Sequence, residues 1–163
     1  MFEKYSDRAR QVIFLARMKA GQRGAASIEV NDLLAAIVIE DQGDFRKAVS
    51  EGRDSRDVII RGDPSEPSRF LPSTFARELL GRLESENSTS SPIPNSEEMA
   101  LSDGFKHTLV RAAVLCEEMR QNQVEPMHLL AAILEDDSSQ AAQFFRYAGI
   151  TRENVLAYLR GET

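Results

Sequence analysis

Ser6 and Ser102 stand just ahead of two apolar-periodic stretches, each placed to cap a helix with its hydroxyl. Such a position suits recognition of an anion or a polar chain segment, because the N–H groups of a helix's first turn lack partners within it. Asp7 and Arg10 follow Ser6, and Lys106 and His107 follow Ser102, so charge accompanies each hydroxyl. Bond-making chemistry has no comparable signal. His107 and His128 are the only histidines, and no Cys or carboxylate sits at ligand spacing from both. The single Cys116 cannot form an internal disulfide and reads as a small core residue. Glu135-Asp136-Asp137 reads as a solvated helix end, since a cation site needs more oxygens at fixed loop positions. Gly21-Gln22-Arg23-Gly24 lacks the closing Lys-Ser/Thr of a phosphate loop, and no Walker motif occurs elsewhere in the chain. Arg61-Gly62-Asp63 and Asn87-Ser88-Thr89 imitate an adhesion tripeptide and a glycosylation sequon, and are read as coincidences. No nucleophile, base and orienter can be assembled. The expectation is a binding protein with no catalytic residues, cofactor or metal.

The elements that must position these residues are written twice. Leu33-Leu34-Ala35-Ala36-Ile37 returns as Leu129-Leu130-Ala131-Ala132-Ile133, at an offset of 96 residues. The same offset carries Ser6-Asp7 onto Ser102-Asp103, Ile28-Glu29 onto Val124-Glu125, and Ala48-Val49 onto Phe144-Phe145. A register held that long indicates duplication of one helical unit.

Each unit opens with a helix whose apolar face carries Ala9, Ile13, Ala16 and Ala20, or Phe105, Leu109, Ala112 and Cys116. Val12, Leu15, Val110 and Leu115 are expected to widen that stripe. A short connection and an apolar plug, Ile28 or Val124, precede a second helix, with Pro126 near the start of the later copy. In the third helix Phe and Ala exchange places between units, which preserves interior volume. Leu79, Leu80 and Leu83 match Val155, Leu156 and Leu159 at an offset of 76, so the first unit holds about 20 extra residues before its fourth helix.

The fold expected is all-α: two pseudo-symmetric four-helix repeats, with no β-sheet pairing between them. The first spans 1–86, with an insert at about 53–72 in which Val58-Ile59-Ile60 is a candidate strand or apolar patch. A Ser/Pro-rich linker covers 87–100 and the second repeat 101–163. The formal net charge of −6 and pI near 5.0 exclude nucleic acid as the main partner, despite the local cluster Arg8, Arg10, Arg17 and Lys19. The start Met1-Phe2-Glu3-Lys4-Tyr5 lacks the apolar core of a signal peptide, and no run is long enough to span a bilayer. A cytoplasmic protein without membrane partners is expected.

With these residues in place, the chain resembles the Clp N-terminal domain, the double repeat that precedes the ATPase rings of ClpA and ClpC unfoldases. Tyr5-Ser6-Asp7-Arg8-Ala9-Arg10 is similar to the family's aromatic-Thr-x-Arg-Ala opening, and Asp32-Leu33-Leu34 to its His-Leu-Leu segment. The second unit resembles the ClpA version through Phe105, Arg111-Ala112, Ser139-Gln140-Ala141-Ala142 and Val155-Leu156-Ala157-Tyr158-Leu159. The resemblance implies a module that docks protein substrates or ClpS-like adaptors for a Clp ATPase in cis or in trans. The alternative it leaves is a free-standing regulator that modulates the machine or sequesters its ligands. It implies partner contacts at Ser6, Asp7, Arg10, Asn31, Asp32, Ser102, Lys106, His107 and His128. Asn31 and Met127 stand where the family often has Glu, so a protein adaptor or unfolded segment is favoured over phosphoarginine.

Overall fold

The structure, a computed structural model, describes residues 3–51, 70–86, 99–136 and 138–161. Val58-Ile59-Ile60, most of the insert and the segment 87–98 lie outside the described residues. The first unit comprises α1 (Asp7–Gln22), β1 (Ser27–Ile28), α2 (Val30–Asp41), α3 (Phe45–Glu51) and α4 (Ser73–Glu86). The second comprises β2 (Ala100–Leu101), α5 (Asp103–Glu118), α6 (Pro126–Leu134), α7 (Gln140–Tyr147) and α8 (Arg152–Leu159). The helical double-repeat architecture is as expected from the duplicated pattern.

Local chemistry sets the helix boundaries. Ser6 Oγ accepts the Ala9 N–H and Ser102 Oγ accepts the Phe105 N–H, both at 3.1 Å. At the far ends, Ala25 N–H reaches Ala20 O and Gln121 N–H reaches Cys116 O, each at 3.0 Å, the closing bonds that satisfy terminal carbonyls. That closure requires a left-handed residue just past the helix, which is Gly24 (φ 67°) after α1 but Arg120 (φ 56°) after α5.

The core lies where the two second helices, α2 and α6, meet at the centre. Leu33, Leu34, Ile37, Leu129 and Leu130 are fully buried, and Ile133 nearly so. The Phe/Ala exchange fills space differently on the two sides. Phe45 on α3 meets Phe14 edge-on at 6.4 Å, within the first unit. Phe144 and Phe145 on α7 instead cross to Phe75 on α4, with ring centroids 5.2 and 4.8 Å away. Cys116 is buried, as expected, and burial pushes its thiol pKa up.

Two expectations are corrected. The units do pair through β-structure: β1 runs parallel to β2, with Ile28 opposite Leu101, and an isolated parallel bridge joins Tyr5 to Val124. At the repeat offset Tyr5 corresponds to Leu101 and Ile28 to Val124, so each unit's opening segment pairs with the other unit's plug. The hydrogen bonds repeat with it: Ser6 N–H to Val124 O at 3.1 Å, Ser102 N–H to Ile28 O at 3.0 Å. Strands of one or two residues have no alternation for a sequence pattern to display. Val110 is also displaced from the expected core stripe. It is 62% exposed, at the repeat position of the half-exposed Phe14, because α5 already fills its buried face with Phe105, Leu109 and Ala112.

Where the chain re-enters after the insert, Asp41 at the end of α2 is fully buried. Its carboxylate accepts the N–H groups of Phe70 and Leu71 at 3.0 and 2.9 Å and the Gln42 amide at 3.0 Å. These bonds fix the approach to α4. Desolvation nevertheless dominates and holds the Asp41 pKa above its ordinary value.

Candidate binding surface at the helix-one ends

The crossed bridges bring each opening cap beside the other unit's second helix. Ser6, almost buried, donates its O–H to Glu125 Oε2 at 3.0 Å while accepting the Ala9 N–H. One hydroxyl therefore caps α1 and ties it to the start of α6. The counterpart end is built differently. Ser102 is half-buried and caps α5, whereas Glu29, the counterpart of Glu125, accepts the Ser27 O–H at 2.8 Å. One end is closed by an inter-unit bond, and at the other the carboxylate turns to a neighbour on its own strand.

Around these caps the charged positions are exposed. Asp7 and Arg10 lie on the first turns of α1 with a 4.0 Å separation between their charged groups. Lys106 and His107 occupy the equivalent turns of α5 and are also exposed. Ser6, Asp7 and Arg10 thus share one helix end, and Ser102, Lys106 and His107 share the other. Each end carries an exposed cation, and only the half-buried Ser102 also leaves a hydroxyl near the surface, since Ser6 is buried and bonded to Glu125.

Asp32 and His128 lie elsewhere. Both occupy the third position of the second helix in their unit, and both are buried. Asp32 Oδ2 accepts the Glu29 N–H at 2.9 Å, and Arg23 donates to the two carboxylate oxygens at 2.9 and 2.7 Å. His128 Nδ1 accepts the Glu125 N–H at 2.8 Å, which places the imidazole proton on Nε2. That N–H has no hydrogen-bond partner among the described residues. Burial lowers the His128 pKa to about 4, so the ring is neutral at ordinary pH. These two residues position the caps Glu29 and Glu125 and do not present a surface to a partner.

Asn31 is exposed, but it opens onto a separate groove of about 510 Å³ between α2, α4 and α7. Met127, its counterpart, is buried. Glu29 and Glu125 were not singled out from the sequence as site residues. Their signal was present: the same acid follows the plug in both units, three positions ahead of a side chain that reciprocates the cap. Among the described residues no group of three His, Cys, Asp or Glu side chains is arranged to hold a metal ion. None of the described helices is long and apolar enough to cross a membrane.

The fold and its paired ends define a double-repeat helical module. Residues 100–163 match the family described as the Clp repeat (R) N-terminal domain. No curated protein sequence matches the chain. Among solved structures, it is similar to the N-terminal domain of the caseinolytic protease associated chaperone ClpD from Arabidopsis thaliana. That match has 18% identity and a TM-score of 0.60, covering 98% of this chain and 97% of the other. The Hsp104 N-terminal domain from Candida albicans is 22% identical with a TM-score of 0.59, over 99% of this chain and 94% of the other. A structure described as a preliminary structural investigation of a malarial protein secretion system gives 18% identity and a TM-score of 0.69. Its match covers 98% of this chain and 95% of that one. The protein has the Clp N-terminal double-repeat fold, and its second unit carries the family's sequence.

Proposed function

We propose that the chain docks protein substrates or ClpS-like adaptors for a Clp ATPase, supplied in cis or in trans. The observation that carries this reading is the pair of crossed bridges, which set Ser6 and Ser102 at equivalent helix ends against the other unit's plug. Arg10 at one end and Lys106 at the other add a cation to the positive pole of each helix. Two such ends on one rigid body permit bivalent capture of a client, raising avidity without new kinds of contact. The ends are unequal. Ser6 has its hydroxyl committed to Glu125, so Ser102 is the more open of the two and the stronger docking position.

Phosphoarginine fits poorly. Asn31 is uncharged and Met127 is buried, so neither offers a carboxylate to a guanidinium. The test is an NMR titration of the protein with a ClpS-type adaptor and, separately, with phosphoarginine. Adaptor-induced shifts at Ser102, Lys106 and Asp7, weakened in Lys106→Glu, are expected. Shifts that avoid both helix-one ends would overturn the site, and tight phosphoarginine binding would overturn the ligand preference.

A further inference from the structure

We infer that the groove between α2, α4 and α7 receives an aromatic side chain from an extended segment of a partner protein. The argument rests on what the chain does with the corresponding place on the other side of its pseudo-twofold axis. There the fourth helix is α8, and Tyr158 stands at the position that Arg82 holds on α4, by the offset of 76 that also pairs the buried Leu79 with the buried Val155. Phe70 lies against the Tyr158 ring, centroids 5.0 Å apart and planes inclined by 52°. Its own N–H and that of Leu71 are anchored by the Asp41 carboxylate. An aromatic side chain already packs on the fourth helix of one unit.

On the opposite side the same place is open. The groove encloses about 510 Å³, and its walls include Asn31, Phe75, Arg82, Phe144 and Tyr147. Its floor continues the inter-unit seam, the Phe75–Phe144 stack at 5.2 Å. Two differences between the units accompany the opening: exposed Asn31 stands for buried Met127, and Arg82 for the ring of Tyr158. Ala141, also in the wall, is the counterpart of Phe45, whose ring packs on Phe14. Arg82 already lies over one face of Phe144, its guanidinium carbon 4.9 Å from the ring centroid. A second ring entering beside Phe144 meets a cation that suits its π-face, and this selects an aromatic over an aliphatic visitor. Tyr147, with 94% of its surface exposed, is the rim residue that such a visitor would cover. The groove is distinct from the helix-one ends and does not depend on their role.

The test uses the full chain and two capped hexapeptides patterned on the chain's own filler, Gly-Ser-Phe-Leu-Pro-Ser and Gly-Ser-Ala-Leu-Pro-Ser. The phenylalanine peptide should shift the NMR signals of Arg82, Phe144 and Tyr147 and bind at least tenfold more tightly than the alanine peptide. Ala141→Phe, which installs the counterpart residue, should abolish the shifts, and Arg82→Ala should weaken binding severalfold. Equal affinity for the two peptides would refute the inference, as would the absence of shifts at millimolar peptide. Binding that survives both variants, with thermal melts showing each folded, would refute it too. Adaptor shifts at Ser102 and Lys106 serve as the separate readout of the helix-one ends, and should persist in Ala141→Phe.

Discussion

Arg23 holds Asp32 with two hydrogen bonds, 2.9 and 2.7 Å long, and the residues in the same places of the second unit are Met119 and His128. The two units therefore solve one problem in two ways. A second helix beginning at a buried cap needs an acceptor for the backbone N–H of Glu29 or Glu125. A carboxylate does this but brings a buried charge, which requires a counter-ion. A neutral imidazole does it without one, and the cation disappears in favour of an apolar Met.

The first prediction follows from that coupling. Arg23→Met alone leaves Asp32 buried without its counter-ion and should cost about 3 kcal/mol. Adding Asp32→His reproduces the second unit's pair and should recover most of the loss. Urea unfolding of the two variants and the parent measures both steps. An additive double variant would show that the pairs are not equivalent solutions.

His128 makes stability pH-dependent. Its folded pKa of about 4 lies below the ordinary 6.5, so the unfolded chain takes up the proton first as pH falls. The contribution is fully present above pH 6.5 and is lost on the way down to pH 4, by on the order of 3 kcal/mol. Asp41, whose pKa is raised, acts with the opposite sign: its contribution is present in acid and is lost as pH rises through the folded value. His128→Asn isolates the imidazole, because Asn154 already fills the same capping position in α8, accepting the Thr151 N–H at 2.8 Å. The difference in unfolding free energy between parent and His128→Asn should slope across pH 6.5 to 4 and flatten above it.

The two opening serines should differ in worth. Ser102→Ala removes a cap and should cost about 1 kcal/mol. Ser6→Ala removes a cap and also the bond to Glu125, and should cost about 1.5–3 kcal/mol more on the scale of hydrogen bonds to charged groups. A double-mutant cycle with Glu125→Gln reads the inter-unit part directly. Equal losses at the two serines would contradict the asymmetry of the ends.

Arg120 carries a left-handed backbone (φ 56°) where the first unit has Gly24. That conformation costs a residue with a Cβ roughly 1–2 kcal/mol, partly offset by the greater chain entropy of glycine. Arg120→Gly should therefore stabilise the fold by about 0.5–1 kcal/mol, seen as a raised urea midpoint at unchanged slope. The converse, Gly24→Arg, should destabilise by a similar amount.

At Asp41, replacement by Ala strands the Phe70 and Leu71 N–H groups and should cost about 1–3 kcal/mol. Asp41→Asn keeps one acceptor oxygen for the two N–H groups and sets its own NH2 against the other, so it should recover only part of the loss. Loss of the Phe70 resonance shift toward Tyr158 would accompany the Ala variant.

The helices, their caps at Ser6 and Ser102, and the burial of Leu33, Leu34, Leu129 and Leu130 were determined by the sequence alone. Each depends on neighbours three or four positions away, and a duplicated register shows the same dependence twice. Tertiary structure decided the rest. Ser6 and Glu125 are 119 residues apart, and nothing local distinguishes Ser6 from Ser102 or tells which hydroxyl will meet a carboxylate. Asp32 and His128 looked like surface partners until the second helices turned their starting ends inward and took both side chains as caps. Val110 has the spacing of a core residue, yet α5 is already covered on its other side. The pairing of Tyr5 with Val124 and of Ile28 with Leu101 has no pattern in either segment. It exists because two copies of one helical unit bury their second helices against each other, and this carries each opening strand onto the partner copy's plug.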